Sequence, residues 1–312
     1  MVKHRIFPIL ILLFLVLFSC EQFESKLQPD KIAWISQKGY NPENVVKMRA
    51  KGKVPAPEIQ VGINSQSHWL ALDITQPYLI LKENEFNLTN FAPTRIVSIV
   101  QGNNEMLMED GYIKNISILG TDYDETHCSL LKSSSRKYHC KGLIGRNYYK
   151  NTVLTMDFKN SALAFADDDK IQPLPNSSKI PLVFKNTENL DYQTPYFYGT
   201  IDSVKVLMSL NTCDRFSEIS PELAQELNYD IDQEYVKIKE LQVQQFRTTS
   251  LKCKINENLL YSSPKGDEIL EFSVGLDVLQ DRLVTINMPD SCFYLEKAPK
   301  TPKEPQAQKN QK

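Results

Sequence analysis

The chain is predicted to be all-β and to fold as two similar, β-barrel-like lobes. Three observations carry that prediction. Short runs rich in β-branched and aromatic residues recur along residues 57–296, separated by Asn, Gly or Pro. Displacing the chain against itself by 130 or 138 residues superposes like segments. Helix start signals gather clearly at one place, "SPELAQELN", where Ser220 caps, Pro221 opens the first turn and Glu222 begins an acidic N-terminus.

Residues 1–19 form the first element, a leader. Lys3, His4 and Arg5 precede an apolar run that ends at "LFSC". The run is short for a stable span and carries Pro8, so export is expected rather than a permanent membrane helix. The ending resembles the lipobox of bacterial lipoproteins, which implies cleavage before Cys20, lipid on its thiol and a body held in water at the cell envelope. Residues 20–56 are polar and proline-punctuated, as a stalk would be, although "AWI" at 33–35 is apolar enough to tuck back onto the body.

Residues 57–166 form the first lobe, with strands expected in "EIQVGI", "SHWLALDI", "PYLILK", "RIVSIV" and "YIKNISIL". Residues 167–195, which include "DDDKIQPLPNSSKIP", read as an inter-lobe connector, and its three aspartates as a solvated turn. Residues 196–296 form the second lobe, with strands in "YFYGTI", "VKVLMSL", "EYVKIKELQVQQF" and "RLVTIN". Residues 297–312, rich in Lys, Pro and Gln without apolar anchors, are expected to be disordered. Lys and Arg total 36 against 38 Asp and Glu, so no basic excess is available for nucleic acid, and none is expected as a partner.

The internal match is residue-specific. A shift of 130 lays "GRNYYKNTVLTMDFKNSALAF" (145–165) on "GLDVLQDRLVTINMPDSCFYL" (275–295), pairing Gly145 with Gly275, Thr155 with Thr285 and Asp157 with Asn287. A shift of 138 lays "VGINSQSHWLALDIT" (61–75) on "GTIDSVKVLMSLNTC" (199–213). Each half therefore opens with a hairpin ending in a polar loop, "ALDITQ" or "SLNTCD", and closes with a Gly-containing turn and a strand pair.

In this arrangement the chain resembles the aspartic peptidases of the pepsin and retropepsin type. "GLIGRNYYKNTVLTMDFKNSALAF" matches that family's closing element, "SVGLDVLQDRLVTINMPDSCFYL" is its weaker twin, and "LNTCDRFSEISPELAQELN" is similar to the second catalytic loop with its helix. The resemblance spans residues 56–296 and implies a bilobal pepsin-like fold with a cleft between the lobes. The family's chemistry needs two carboxylates sharing one proton, one to activate water and one to hydrogen-bond the scissile carbonyl.

Asp73 stands at the first of those positions and Asn211 at the second, and an amide does not shuttle a proton. Ile74 replaces the family's Thr or Ser, while Thr75 and Cys213 replace its Gly, leaving Thr212 with the expected type. A degenerate site is therefore expected, whose cleft holds an extended peptide or a protein. The alternative is a divergent endopeptidase that uses Asp73 with another carboxylate, such as Asp214 or Asp73 of another chain. The family's flap is expected in "RIVSIVQGNNEMLMEDGYIKN", where Tyr112 is read as a strand tyrosine with its hydroxyl in water.

No cofactor or metal is expected. The His127–Cys128 and His139–Cys140 pairs invite a zinc reading, but neighbouring strand residues face opposite sides, and a Cys128–Cys140 disulfide across a hairpin is simpler. A Cys253–Cys292 bridge is implied by the family resemblance, which leaves Cys213 as a buried, inert thiol. His68, beside Trp69, reads as a surface or packing residue.

Overall fold

The computed structural model describes residues 27–50, 56–101, 104–132, 140–167, 171–184, 194–257, 259, 270–297 and 299. The leader, Cys20, His139, the flap tip at 102–103 and the tail beyond 299 lie outside the described residues. Among the described residues, no helix is long and apolar enough to cross a membrane.

The fold is all-β and two-lobed. The first lobe contains β2 (Glu58–Ile63), β3 (Gln66–Asp73), β4 (Leu79–Lys82), β5 (Phe91–Gln101), β6 (Asn104–Ile118), β7 (Thr121–Leu131) and β8 (Gly142–Gly145). They pair in the order β2-β3-β8-β4-β7-β6-β5, and a further β2–β6 pairing closes six of them into a ring with β5 outside it. The second lobe contains β12 (Tyr196–Ile201), β13 (Val204–Leu210), β14 (Glu218–Ile219), β15 (Tyr235–Val243), β16 (Phe246–Ile255) and β17 (Leu270–Val274), which form a closed barrel. Alternation decides which side of a strand faces in: Ile59, Val61 and Ile63 of β2 are buried while Gln60 is exposed.

The lobes share one wiring. β3 runs parallel to β8 as β13 does to β17, β4 pairs antiparallel with β8 as β14 does with β17, and β4 runs parallel to β7 as β14 does to β16. The turns agree residue by residue. The β2–β3 hairpin turns through Asn64 and Ser65 at φ of 50° and 61°, and the β12–β13 hairpin through Asp202 and Ser203 at 47° and 74°. Two successive positive φ values match the right-handed twist of the flanking strands, and Asn and Asp tolerate them better than most residues.

A third sheet joins the lobes, in the order β1-β10-β9-β18-β19-β11, from β1 (Val45–Lys47), β9 (Val153–Asp157), β10 (Ala162–Ala166), β11 (Ile180–Pro181), β18 (Leu283–Asn287) and β19 (Cys292–Glu296). The strands that match at a shift of 130 pair with each other here: Thr155 opposes Thr285, and their hydroxyls hydrogen-bond at 2.8 Å. Asp157 and Asn287 each accept the amide three residues on, from Asn160 and Asp290, closing equivalent turns.

Two expectations need correction. Residues 27–50 are not a stalk. β1 pairs with β10, and α1 (Ala33–Lys38) buries Trp34, Ile35 and Lys38 against the inter-lobe sheet. The apolar "AWI" decides this, because its burial outweighs the polar composition around it. Helix is also not confined to one place: besides α2 (Pro221–Glu226), capped as expected by the Ser220 hydroxyl accepting from the Leu223 amide, there are α1 and the single turn α3 (Leu276–Leu279). The connector is anchored too, through β11 and the buried Ile171, Leu174 and Leu182.

Candidate functional site

The two polar loops are placed by the same crossing in each lobe. Asp73 ends β3 opposite Gly145, and Leu210 ends β13 opposite Val274, one residue before Gly275. The chain after each glycine then bonds the far side of the loop: Arg146 and Asn147 amides donate to Gln76 and Pro77 carbonyls at 2.8 and 3.1 Å, and Leu276 and Asp277 amides to Asp214 and Arg215 carbonyls at 2.9 and 3.0 Å. Glycine is required at both crossings. A Cβ on Gly145 would lie 2.4 Å from backbone atoms of Pro77 and Tyr78, and one on Gly275 2.5 Å from the backbone of Phe216.

The loops meet between the lobes. The buried Thr212 hydroxyl donates to the Leu72 carbonyl of the other lobe at 2.6 Å, and Cys213 Sγ reaches the same oxygen at 3.4 Å. The equivalent position in the first loop is Ile74, buried and without a hydroxyl, so this tie runs in one direction only.

Asp73 is 4% exposed, and its Oδ1 accepts from the Thr75 amide at 2.8 Å and the Thr75 hydroxyl at 2.6 Å. Asn211 makes the equivalent turn, its Oδ1 accepting from the Cys213 and Asp214 amides at 2.9 and 3.1 Å while its Nδ2 donates to Asp214 Oδ2. Burial raises the Asp73 carboxyl above the ordinary aspartate range; the Thr75 bonds oppose the shift and the charge of Asp214 adds to it. A carboxyl whose folded pKa is raised binds its proton more tightly in the native state. Its contribution to stability is present at low pH and lost as pH rises through the folded value. Asp73→Asn, which keeps an oxygen for the Thr75 amide, is therefore expected to raise the urea midpoint at pH 7 and to lose that advantage below the ordinary aspartate range. An equal gain at pH 3 and pH 7 would contradict the burial argument.

The chain resembles basic 7S globulin from soybean. That crystal structure superposes with a TM-score of 0.51 over 81% of this chain and 93% of that one, at 11% sequence identity. At that identity the likeness is one of fold. No family model and no curated protein sequence matches the chain.

Other expected residues are placed as follows. The two disulfides are not formed: Cys128, Cys140, Cys213, Cys253 and Cys292 are all free thiols. Cys128 points into the first-lobe core, whereas Cys140 packs on a separate cluster, so the expected cross-hairpin pair looks to different interiors. Cys253 belongs to the second barrel and Cys292 to the inter-lobe sheet. His127 lies against Tyr78 and Tyr112, with ring centroids at 4.4 and 5.9 Å, on the face of β7 away from Cys128. Tyr112 is a strand residue, 43% exposed, and His68 packs on Phe86 with ring centroids at 4.9 Å. The flap expectation corresponds to the long hairpin of β5 and β6.

Sequence reasoning missed Arg146 and Tyr149, each 1% exposed. Arg146 donates to the Thr75 carbonyl at 3.3 Å, which also accepts from Thr194, and so braces the Asp73 loop from below. Tyr149 is held far above the ordinary phenol range, first by burial and then by the nearby Asp73 charge. The available signal was the pairing of Arg146 with Leu276 at the 130-residue shift, a charge where the second copy is apolar.

Proposed function

We propose that the protein is a degenerate member of the pepsin and retropepsin type, exported and lipid-anchored through Cys20, that binds an extended peptide or protein between its lobes without cleaving it. One observation carries this reading. The two loops meet, with Thr212 bridging to Leu72, and where the first carries the Asp73 carboxyl the second carries the Asn211 amide, already engaged with Asp214 and the loop backbone. An amide in that place supplies a hydrogen bond and no proton transfer, a step that contributes about 10²- to 10⁴-fold to such reactions. The duplicated wiring and the long β5–β6 hairpin also support it.

A second reading is favoured by Asp214, an exposed carboxylate near enough for its charge to act on Asp73. Asp73 and Asp214 would then form an unconventional dyad. One experiment separates the two. The full chain, recovered from membranes and assayed on an unfolded protein between pH 3 and 7, is expected to release no fragments, while amides of β6 and of residues 211–214 gain hydrogen-exchange protection on mixing with an extended peptide. Proteolysis lost in both Asp73→Ala and Asp214→Ala would put the endopeptidase in its place. Fatty-acid labelling that disappears in Cys20→Ala checks the anchor in the same preparation.

A further inference from the structure

Cys140 and Cys213 come from different lobes, one standing two residues before β8 and the other in the loop that meets Leu72. Both pack, partly buried, on one small apolar cluster that includes Ala71, Met108 and Leu143. Cys213 Sγ touches the carbonyl of Leu72, the residue that follows Ala71 of that cluster. The remaining described cysteines are fully buried elsewhere: Cys128 and Cys253 in the lobe cores, and Cys292 in the inter-lobe sheet.

We propose that Cys140 and Cys213 are a thiol pair that oxidises to a disulfide and staples the two lobes together beside Asp73. The oxidant is an external disulfide of the glutathione class. The thiolate of one cysteine attacks a sulfur of that disulfide and expels one thiol; the second cysteine then attacks the mixed disulfide, forms the Cys140–Cys213 bond and expels the other thiol. Two protons and two electrons leave the pair, and one external disulfide becomes two thiols. Burial raises the Cys140 thiol to about 11 and holds Cys213 well above its ordinary range, with the two groups within electrostatic reach of each other and of Asp73. The reduced pair is therefore protonated at neutral pH and exchanges slowly unless the lobes part. The staple would fix the lobe spacing whether or not the cleft holds a peptide.

The test is peptide mapping of the full chain after equilibration with glutathione disulfide, alkylation and digestion without reduction. A single cross-linked peptide pair carrying Cys140 and Cys213 is expected, with the unfolding midpoint raised by about 5 to 15 °C and that rise lost alike in Cys140→Ala and Cys213→Ala. Recovery of both cysteines as alkylated thiols, or of Cys213 bonded to any other cysteine, overturns the proposal. The mapping uses the unmodified chain, so a variant that fails to fold leaves it decisive.

Discussion

Replacing Lys38 with alanine is expected to destabilise the fold by about 3 to 5 kcal/mol, because it leaves a carboxylate buried without its cation. Lys38 is 0% exposed, and its Nζ lies 2.7 Å from Glu296 Oε2. Glu296 also accepts from the Thr285 hydroxyl at 2.8 Å and the Leu174 amide at 2.6 Å, and Thr285 continues through Thr155 to the Tyr40 hydroxyl. Helix α1, both halves of the central sheet, the connector and the last strand thus share one polar network. Burial lowers the proton affinity of Lys38, and the Glu296 charge opposes that shift. Lys38→Met combined with Glu296→Gln removes both charges and keeps an oxygen for the Leu174 amide, so it is expected to recover most of the loss. Urea unfolding of the two variants measures this. A cost below about 1 kcal/mol for the single substitution would mean that the pair is solvated and the N-terminal segment detached.

Trp34→Ala is expected to cost about 3 to 5 kcal/mol as well, through a different term. Trp34 is 1% exposed, meets Tyr40 edge-on with ring centroids at 6.0 Å, and donates its Nε1 hydrogen to Asp157 Oδ2 at 2.6 Å. Alanine opens a cavity against Val153 and Ala164 of the central sheet and removes that donor. Trp34→Phe refills most of the space and loses only the hydrogen bond. It is expected to cost about 1 to 3 kcal/mol, since Asp157 keeps its bonds from Asn160. Thermal unfolding of the pair separates packing from hydrogen bonding. Wild-type stability in both would show that residues 27–50 do not belong to the core.

The two-lobed all-β architecture stands on the strand pairings, and its likeness to soybean basic 7S globulin is one of fold.

Most of the strands and the duplication were legible in the sequence, because those depend on neighbours a few residues apart; β7 and most of β16, largely polar or half-exposed along their length, were not among the expected runs. In β2 the period-two alternation turns Ile59, Val61 and Ile63 inward, and the structure puts Asn64–Ser65 and Asp202–Ser203 at the turns of the two opening hairpins. The 130-residue shift pairs Gly145 with Gly275 and Thr155 with Thr285, and the two threonines oppose each other where the lobes join. The remaining placements depend on contacts between residues far apart in the chain. Trp34 and Lys38 sit in a polar, proline-marked stretch, and their partners lie 123 and 258 residues away, so nothing local distinguished a docked segment from a tether. Arg146 under the Asp73 loop and Cys140 beside Cys213 are likewise set by how one lobe closes on its own crossing and then on the other. Burial and electrostatic pairing are properties of the assembled interior, and residues from both ends of the chain build that interior.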